Sequence, residues 1–120
     1  MFTIHFFENA QGYSSTDALI QELDKKAKTD KAAHIELRQI YRSFEALEKM
    51  GTLQNQFTKH IREELWELKA GKNRILFFGC EDNNFVILHY FKKTTNKTPQ
   101  HEIQTANRRI KAWKNNSGKQ

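Results

Sequence analysis

The sequence predicts an α+β fold with the element order β-α-α-β-β-β-β-α. Three observations support this prediction: helical apolar spacing over residues 16–51, four short strand-like runs over residues 57–91, and another helical pattern after a Thr-Pro pair at 98–99. Consecutive strands with short connections pair as an antiparallel meander, and amphipathic helices bury their apolar sides on such a sheet. We expect an antiparallel sheet with an N-terminal helix hairpin packed on it and a C-terminal helix, in a single domain over residues 1–120.

The first half of the chain is predicted to form one strand and two helices. The β-rich run FTIHFF at residues 2–7 predicts the strand, and a serine pair at 14–15 supplies an N-cap for a helix over about 16–27. Asp30 caps the second helix, and Gly51 stands where this helix should stop. Its apolar side has helical spacing and consists of Leu37, Ile40, Tyr41, Phe44 and Leu47. The short Lys-Thr-Asp connection predicts an antiparallel helix hairpin.

Four strand-like runs and a last helix are predicted for the second half. The runs span residues 57–61, 65–69, 74–78 and 85–91. Turn-forming residues separate them, with Ala-Gly-Lys-Asn at 70–73 and Cys-Glu-Asp-Asn-Asn at 80–84. Thr98 as N-cap and Pro99 at the first helical position start the last helix. Its apolar face consists of Ile103, Ala106, Ile110 and Trp113.

Pairing arithmetic predicts which side chains share a sheet face. If residues 70–73 form a plain four-residue loop, Lys69 lies opposite Arg74. Side chains alternate between the two faces of a sheet, so Glu67, Lys69 and Arg74 then point the same way. One interpretation is a solvated face with weak cross-strand ion pairs, which are ordinary on antiparallel sheets. The other is a functional cluster of charges.

The next strand leaves a choice between two neighbouring side chains. If residues 80–84 form a plain loop, Arg74 lies opposite Tyr90, which puts Tyr90 and Lys92 on the face of Arg74. His89 then points to the reverse face. A single bulge exchanges His89 for Tyr90, because a slip of one residue flips the faces.

The basic charge of the chain is concentrated in its second half. Residues 1–50 contain seven Lys/Arg and eight Asp/Glu, whereas residues 51–120 contain thirteen and six. Residues 92–120 hold eight basic side chains and a single acid, Glu102. A solvated basic tail is one interpretation. A polyanion-binding surface is the other, because neutralising phosphates releases their condensed counterions.

The stretch ILHYFKKTTNKTP at residues 87–99 favours the polyanion interpretation. It delivers lysines and threonines at the exit of a strand and then opens a helix. Cations, hydroxyls and the free N–H groups of a helix N-terminus are the groups that bind phosphate. Cys80 is the only cysteine and no signal peptide or membrane span is evident, so we expect a reducing, cytoplasmic location.

Three segments of the second half resemble a known family. ELWELKAGKNRILFF (64–78), FVILHYFKKTTNKTP (85–99) and HEIQTANRRIKAW (101–113) are similar to the RelE/HigB superfamily of toxins, in particular its phage-associated HigB-like branch. The resemblance covers residues 57–115 closely. It implies a RelE-like fold and the toxin of a type II toxin–antitoxin system. Such toxins cleave mRNA in the ribosomal A site without metal or other cofactor, using the 2′-OH of the RNA as nucleophile.

The resemblance also implies partners and roles for individual residues. The partner is a helix-turn-helix, HigA-like antitoxin in a toxin–antitoxin hetero-oligomer, with no membrane involved. Arg74 matches the strand arginine of the family and would contact the scissile phosphate, and His89 is the acid–base candidate. The full catalytic set is Arg74, His89, Tyr90, Lys92 and Glu67. The RNA-binding set is Lys59, Lys69, Lys93 and Lys97.

Within these sets several roles stay open. Tyr90 stacks on a base or relays a proton, Lys92 stabilises charge or anchors the RNA backbone, and Glu67 acts as base or orients Arg74. Two other functions also remain. A ParE-like toxin of the same fold binds a protein such as gyrase and needs no acid–base set, and a plain basic nucleic-acid-binding module has no toxic role.

Overall fold

The computed structural model describes residues 1–117 and has the element order that the sequence predicts. Residues 118–120, the end of the expected domain, lie outside the described residues. The elements are β1 (Thr3–Phe6), α1 (Ser15–Lys26), α2 (Lys31–Met50), β2 (Thr58–Arg62), β3 (Leu65–Ala70), β4 (Asn73–Cys80), β5 (Asn84–Lys92) and α3 (Gln100–Ser117). The predicted α+β class is therefore confirmed.

The five strands form one sheet in the order β1-β5-β4-β3-β2. Strands β2 to β5 make the expected antiparallel meander, joined by short turns. Strand β1 pairs with β5 in parallel, from Thr3 opposite Asn84 to Phe6 opposite Ile87. The first and last strands are neighbours because the α1–α2 hairpin carries the chain across the sheet between β1 and β2. The sheet is thus mostly rather than wholly antiparallel.

Helices cover both faces of the sheet. The α1–α2 hairpin buries Ile20, Leu37 and Ile40 against Ile75 and Phe77 on one face. Helix α3 packs on the opposite face, where nine buried residues form a second core: Leu65, Leu76, Phe78, Val86, Leu88, Phe91, Ile103, Ala106 and Ile110. The face expected to be an open charged surface is therefore covered by α3 along part of its length. The uncovered part lies toward the exit of β5.

The helix ends follow the predicted signals, with one exception. The Ser14 hydroxyl accepts from Asp17 N at 3.2 Å, and Asp30 Oδ1 accepts from Ala32 N at 2.9 Å. Gly51 ends α2 with a φ of 64°. Thr98 was expected to cap α3, but the Pro99 carbonyl accepts the first helical bond, from Ile103 N at 3.2 Å. The hydroxyl of Thr98 is used elsewhere. Within residues 1–117, every helix is too short or too polar to cross a membrane.

Candidate nucleic-acid interface

The β3–β4 hairpin has the predicted register. Lys69 lies opposite Arg74, and Glu67 lies opposite Leu76. The turn is tighter than the expected four residues, because Ala70 and Asn73 still pair. Gly71 in this turn has a φ of 62°, a conformation that glycine adopts without steric cost. Glu67, Lys69 and Arg74 therefore share the sheet face on which α3 packs.

The β4–β5 pairing starts as predicted and then shifts by one residue. Gly79 lies opposite Phe85 and Phe77 lies opposite Ile87, but Leu76 lies opposite His89. Leu88 is left without a partner in β4, which is a β-bulge. Beyond the bulge, each residue of β5 points to the face opposite the one that a plain loop predicts. His89 therefore lies on the same face as Arg74.

Of the two alternatives for β5, the structure has the one with a bulge, so His89 rather than Tyr90 lies on the face of Arg74. The prediction that Lys92 shares this face is wrong. Tyr90 packs against the core beneath the α1–α2 hairpin. Lys92 Nζ donates to Glu36 Oε2 of α2 at 2.8 Å, again on the hairpin side. The physical reason is the extra residue, Leu88, which reverses the alternation for the rest of β5.

Glu67 is a buried carboxylate held between two side chains. It is 5% exposed. Thr98 donates its hydroxyl to Glu67 Oε1 at 2.7 Å, and Arg74 Nε lies 3.9 Å from Glu67 Oε2. The longer distance is that of an ion pair rather than a hydrogen bond. The segment between β5 and α3 thus folds back over the sheet to cover Glu67.

Arg74 is anchored on one side of its guanidinium. Its Nη1 donates to the carbonyls of Gly71 at 2.7 Å and Asn73 at 3.0 Å. Among residues 1–117, Nη2 of Arg74 has no hydrogen-bond partner. The side chain is 13% exposed, so the guanidinium forms part of the floor of a recess rather than extending into solvent. The free terminal nitrogen can donate to an anion without loss of the existing contacts.

The recess lies at the exit of β5, next to the start of α3. Its lining residues are Glu67, Arg74, Phe91, Lys93, Thr95, Asn96, Lys97 and Thr98. Lys93 and Lys97 are exposed at its rim. Lys69 lies beside Arg74, and Lys59 pairs with Glu67 from β2. All four lysines of the predicted RNA-binding set are therefore exposed around Arg74 and Glu67, on one side of the sheet.

His89 lies under α3, with both ring nitrogens in contact. Nε2 is 2.6 Å from Glu102 Oε1, and Nδ1 is 3.5 Å from Arg109 Nη1. A guanidinium has no acceptor, so its approach to Nδ1 requires the lone pair there, and the proton then sits on Nε2 and is donated to Glu102. Across the sheet, His89 and Glu67 flank Leu76, with Cα atoms about 10 Å apart. Arg74, two residues along β4, is diagonal to both.

Glu36 of α2 secures the turn that anchors Arg74. Asn73, which is fully buried, donates its amide to Glu36 Oε2 at 2.8 Å, and Lys72 Nζ lies 3.9 Å from Oε1. Burial raises the pKa of Glu36, but the hydrogen bonds from Lys92 and Asn73 and the charges of Lys92 and Lys72 outweigh it, so the pKa is lowered. The carboxylate thus stays charged and fixes the hairpin from the opposite face.

The sequence did not identify four residues of this region: Glu36, Thr98 as a partner of Glu67, Glu102 and Arg109. Only Glu102 had a signal, since it is the single acid among residues 92–120. The other contacts join residues far apart in the chain, and no local sequence pattern predicts them. Among residues 1–117, no group of three or more His, Cys, Asp or Glu side chains is arranged to hold a metal ion.

The fold and this region define the class of the protein. It is a small basic α+β protein with a mostly antiparallel sheet between helices, and cations surround a buried carboxylate at the end of that sheet. The family described as "Phage derived protein Gp49-like (DUF891)" matches residues 19–111. The chain belongs to this Gp49-like family, which is a family of RelE/HigB-like toxins. No curated protein matches the chain.

Proposed function

We propose that this chain is the toxin of a type II toxin–antitoxin system, of the HigB-like branch, and that it cleaves mRNA in the ribosomal A site. The observation that carries the proposal is the recess around Arg74. It combines a guanidinium with a free donor nitrogen, a buried carboxylate and exposed lysines at the rim. Membership of a RelE-type toxin family supports the same function.

The reaction makes three demands on the protein. The 2′-OH must lose a proton, the 5′-oxygen must gain one, and the phosphorane between them carries extra negative charge. Fixed cations aimed at that charge supply much of the acceleration in such reactions. Arg74 donates to the scissile phosphate through Nη2, while Nη1 stays bound to the carbonyls of Gly71 and Asn73 and holds the guanidinium in place. Lys93 and Lys97 neutralise neighbouring phosphates, and Lys59 and Lys69 extend this basic surface along the sheet.

Glu67 and His89 are the acid–base pair of the proposal. They lie on either side of β4, with Arg74 between their strands. The Glu67 carboxylate takes the proton of the 2′-OH, and His89 as an imidazolium gives one proton to the 5′-oxygen and becomes a neutral ring. Both ring nitrogens of His89 are engaged in the free protein. His89 therefore acts only after RNA binding draws its Nε2–H away from Glu102 and frees Nδ1 from Arg109 to carry the second proton. Tyr90 and Lys92 have no part in this site because they lie on the opposite face.

The partners of the proposed toxin follow from its class. The substrate is mRNA in the ribosomal A site, and the location is the cytoplasm. A helix-turn-helix, HigA-like antitoxin neutralises the toxin in a hetero-oligomer. No metal or other cofactor is needed, because the acid, the base and the stabilising cations are all side chains of this chain.

The test is induction of wild type and Arg74→Lys without antitoxin, with growth and mRNA 5′ ends recorded together. Arg38→Lys is the control, since Arg38 is exposed on α2, away from the recess. Wild type and the control should arrest growth and produce new 5′ ends within translated frames. Arg74→Lys should lose about 10²–10³-fold in cleavage, the usual loss for a donor to a charged transition state. Unfolding curves of the purified variants verify folding.

Two outcomes would contradict the proposal. Growth arrest with intact messages would indicate a protein target, as for a ParE-like toxin, and the roles given to the recess would fall. Full cleavage by a folded Arg74→Lys variant would remove Arg74 from the chemistry.

A further inference from the structure

We propose that Arg109 of α3 is a positioning residue for His89: it holds the β5 bulge that turns His89 toward the face of Arg74, and it fixes the orientation of the ring through Nδ1. The consequence for RNA cleavage rests on the proposed function. The positioning itself does not.

The bulge in β5 places the carbonyl of Leu88 where Arg109 can bind it. Leu88 has no partner in β4, and the pairing of β1 with β5 ends at Ile87. Arg109 Nη1 donates to the Leu88 carbonyl at 2.7 Å. Leu88 is 2% exposed, so water is a poor alternative partner, and a buried carbonyl without a donor is costly. Arg109 therefore stabilises the one arrangement of β5 in which Leu88 and His89 both face α3.

Arg109 is a half-buried cation without a carboxylate partner among residues 1–117. Its Nη1 also lies 3.4 Å from Ser15 Oγ, and its guanidinium lies 5.8 Å from the ring centroid of Phe7. Burial, with a smaller contribution from the charge of Arg108, lowers the pKa of Arg109. A cation in such a place is normally paired with an acid. Here its partners are a carbonyl, a hydroxyl and an imidazole, so its contacts serve β5 rather than an ion pair.

Helix α3 holds His89 from both sides. Glu102 and Arg109 are seven residues apart, two turns of helix, and therefore lie on the same side of α3. Glu102 accepts at Nε2 of His89, and Arg109 donates at Nδ1. This polarity is compatible with one neutral tautomer, with the proton on Nε2. Glu102 by itself already requires the proton on Nε2, so the guanidinium adds a second anchor, at Nδ1, that fixes the orientation of the ring.

The test compares Arg109→Met and Arg109→Lys with Arg108→Met, the matched control on the exposed side of α3. The ring ¹⁵N shifts of His89 report the proton on Nε2 and the hydrogen bond accepted at Nδ1, and His89→Gln assigns its signals. Amide exchange over residues 87–90 reports the bulge. Wild type and Arg108→Met should show one tautomer, protonated on Nε2. Arg109→Met should keep this tautomer but show the shift of an Nδ1 without a hydrogen-bond donor, together with faster exchange at residues 88–90. Arg109→Lys should show the same change at Nδ1, because the lysine ammonium ends one bond short of the position of Nη1.

Unchanged His89 ring shifts in a folded Arg109→Met would overturn the proposal. If that variant does not fold, unchanged shifts in Arg109→Lys would do so. Equal changes in Arg108→Met would overturn it too, since the effect would then belong to α3 as a whole. Cleavage is measured separately: Arg109→Met should lose about tenfold or more, at the low end of what acid–base groups contribute. If wild type cleaves no RNA, the proposed function fails while the ring shifts still decide the role of Arg109.

Discussion

Three buried or half-buried charged residues determine the geometry around the recess. Glu67 is held by Thr98 and Arg74, and Glu36 holds the turn on which Arg74 rests. Arg109 donates to the carbonyl of Leu88 instead of pairing with an acidic side chain. A buried charge is tolerated only where its hydrogen bonds are satisfied, so each of these residues depends on a specific neighbour. Substitutions of the neighbours should therefore cost more than substitutions of similar exposed residues.

Thr98→Val should destabilise the protein. The change keeps the shape of the side chain but removes the hydroxyl that donates to the buried Glu67. We expect a loss of about 1–3 kcal/mol in the free energy of unfolding, the usual cost of a buried charged group that loses a donor. Urea unfolding at neutral pH measures it. The control is Thr94→Val, an exposed threonine of the same segment. Equal stability of the two variants would show that the Thr98–Glu67 bond adds nothing.

Glu36→Gln should reduce the dependence of stability on acid pH. The pKa of Glu36 is lowered from its ordinary value of 4.5, so its charged form stabilises the fold above that pH. This contribution is lost as the pH falls through the folded-state pKa. We expect the variant to lose about 1 kcal/mol at neutral pH, with allowance for solvent screening of Lys92. Unfolding curves between pH 7 and about pH 3 measure the effect.

Glu45→Gln is the control for Glu36, since Glu45 pairs with Lys49 on the exposed side of α2. Its stability curve should follow that of wild type. A Glu36→Gln curve parallel to wild type across the acid range would contradict the assignment.

At the scale of elements, the end of α2 and the bulge in β5 decide where functional side chains lie. Phe2 N donates to the Glu48 carbonyl at 2.8 Å, which ties β1 to the last turn of α2. Gly51 follows with φ 64° and ψ −141°, a region that is almost restricted to glycine. The Phe2 ring lies directly against it. Helix α2 therefore ends beside Phe2, just before β1, and Gly51 turns the chain toward β2.

Gly51→Ala should be strongly destabilising. A Cβ there would lie 2.7 Å from the Phe2 ring and would also strain the backbone. Strain and overpacking together predict a loss of about 2–4 kcal/mol. Gly12→Ala is the matched control: its φ is also positive, at 76°, but the nearest atom to an added Cβ is 4.0 Å away. Only the backbone cost of about 1–2 kcal/mol should remain there. Equal melting temperatures would rule out the Phe2 contact as the cause.

At the scale of the whole molecule, the basic second half of the chain supplies the lysines on one side of the sheet, and the first half covers the other side. Lys93 and Lys97 at the recess and Lys59 and Lys69 beside it belong to the basic second half of the chain. The α1–α2 hairpin on the opposite face belongs to the first half, with its balanced charges. A polyanion should therefore bind at one side of the sheet.

Lys93→Gln combined with Lys97→Gln should weaken the salt dependence of RNA binding. Each phosphate contact with a single strand contributes about 0.7 to the slope of log K against log salt concentration, so the double variant should lose roughly 1.4. A 2′-O-methyl RNA, which cannot be cleaved by its own 2′-OH, serves as ligand in fluorescence anisotropy over a salt series. The control removes the same charge from α1 and its exit, with Lys25→Gln and Lys28→Gln. Equal changes in both slopes would show diffuse attraction instead of a defined site.

Much of the fold was predictable because its signals are local. Ser14, Asp30 and Gly51 mark helix ends through contacts within a few residues, and the prediction agreed with the structure at all three. The register of β3 and β4 was also predictable, since a short turn determines which residues pair. The cap of α3 was wrong by one residue, because the hydroxyl of Thr98 is drawn away to Glu67 by a contact 31 residues apart.

The residue types and spacing of the sequence were sufficient for the order of the elements, the basic side of the sheet, and the shared face of Glu67 and Arg74. The toxin family was indicated by the resemblance of three segments to known sequences. Residue types and spacing left open whether His89 or Tyr90 lies on the face of Arg74. The choice depends on Leu88, whose carbonyl is bound by Arg109 from a helix 21 residues further along the chain. Local propensity sets periods and turns, whereas a bulge is stable only when a distant donor satisfies the backbone group that it releases. For that reason the composition of the site was decided by the packing of α3 on the sheet.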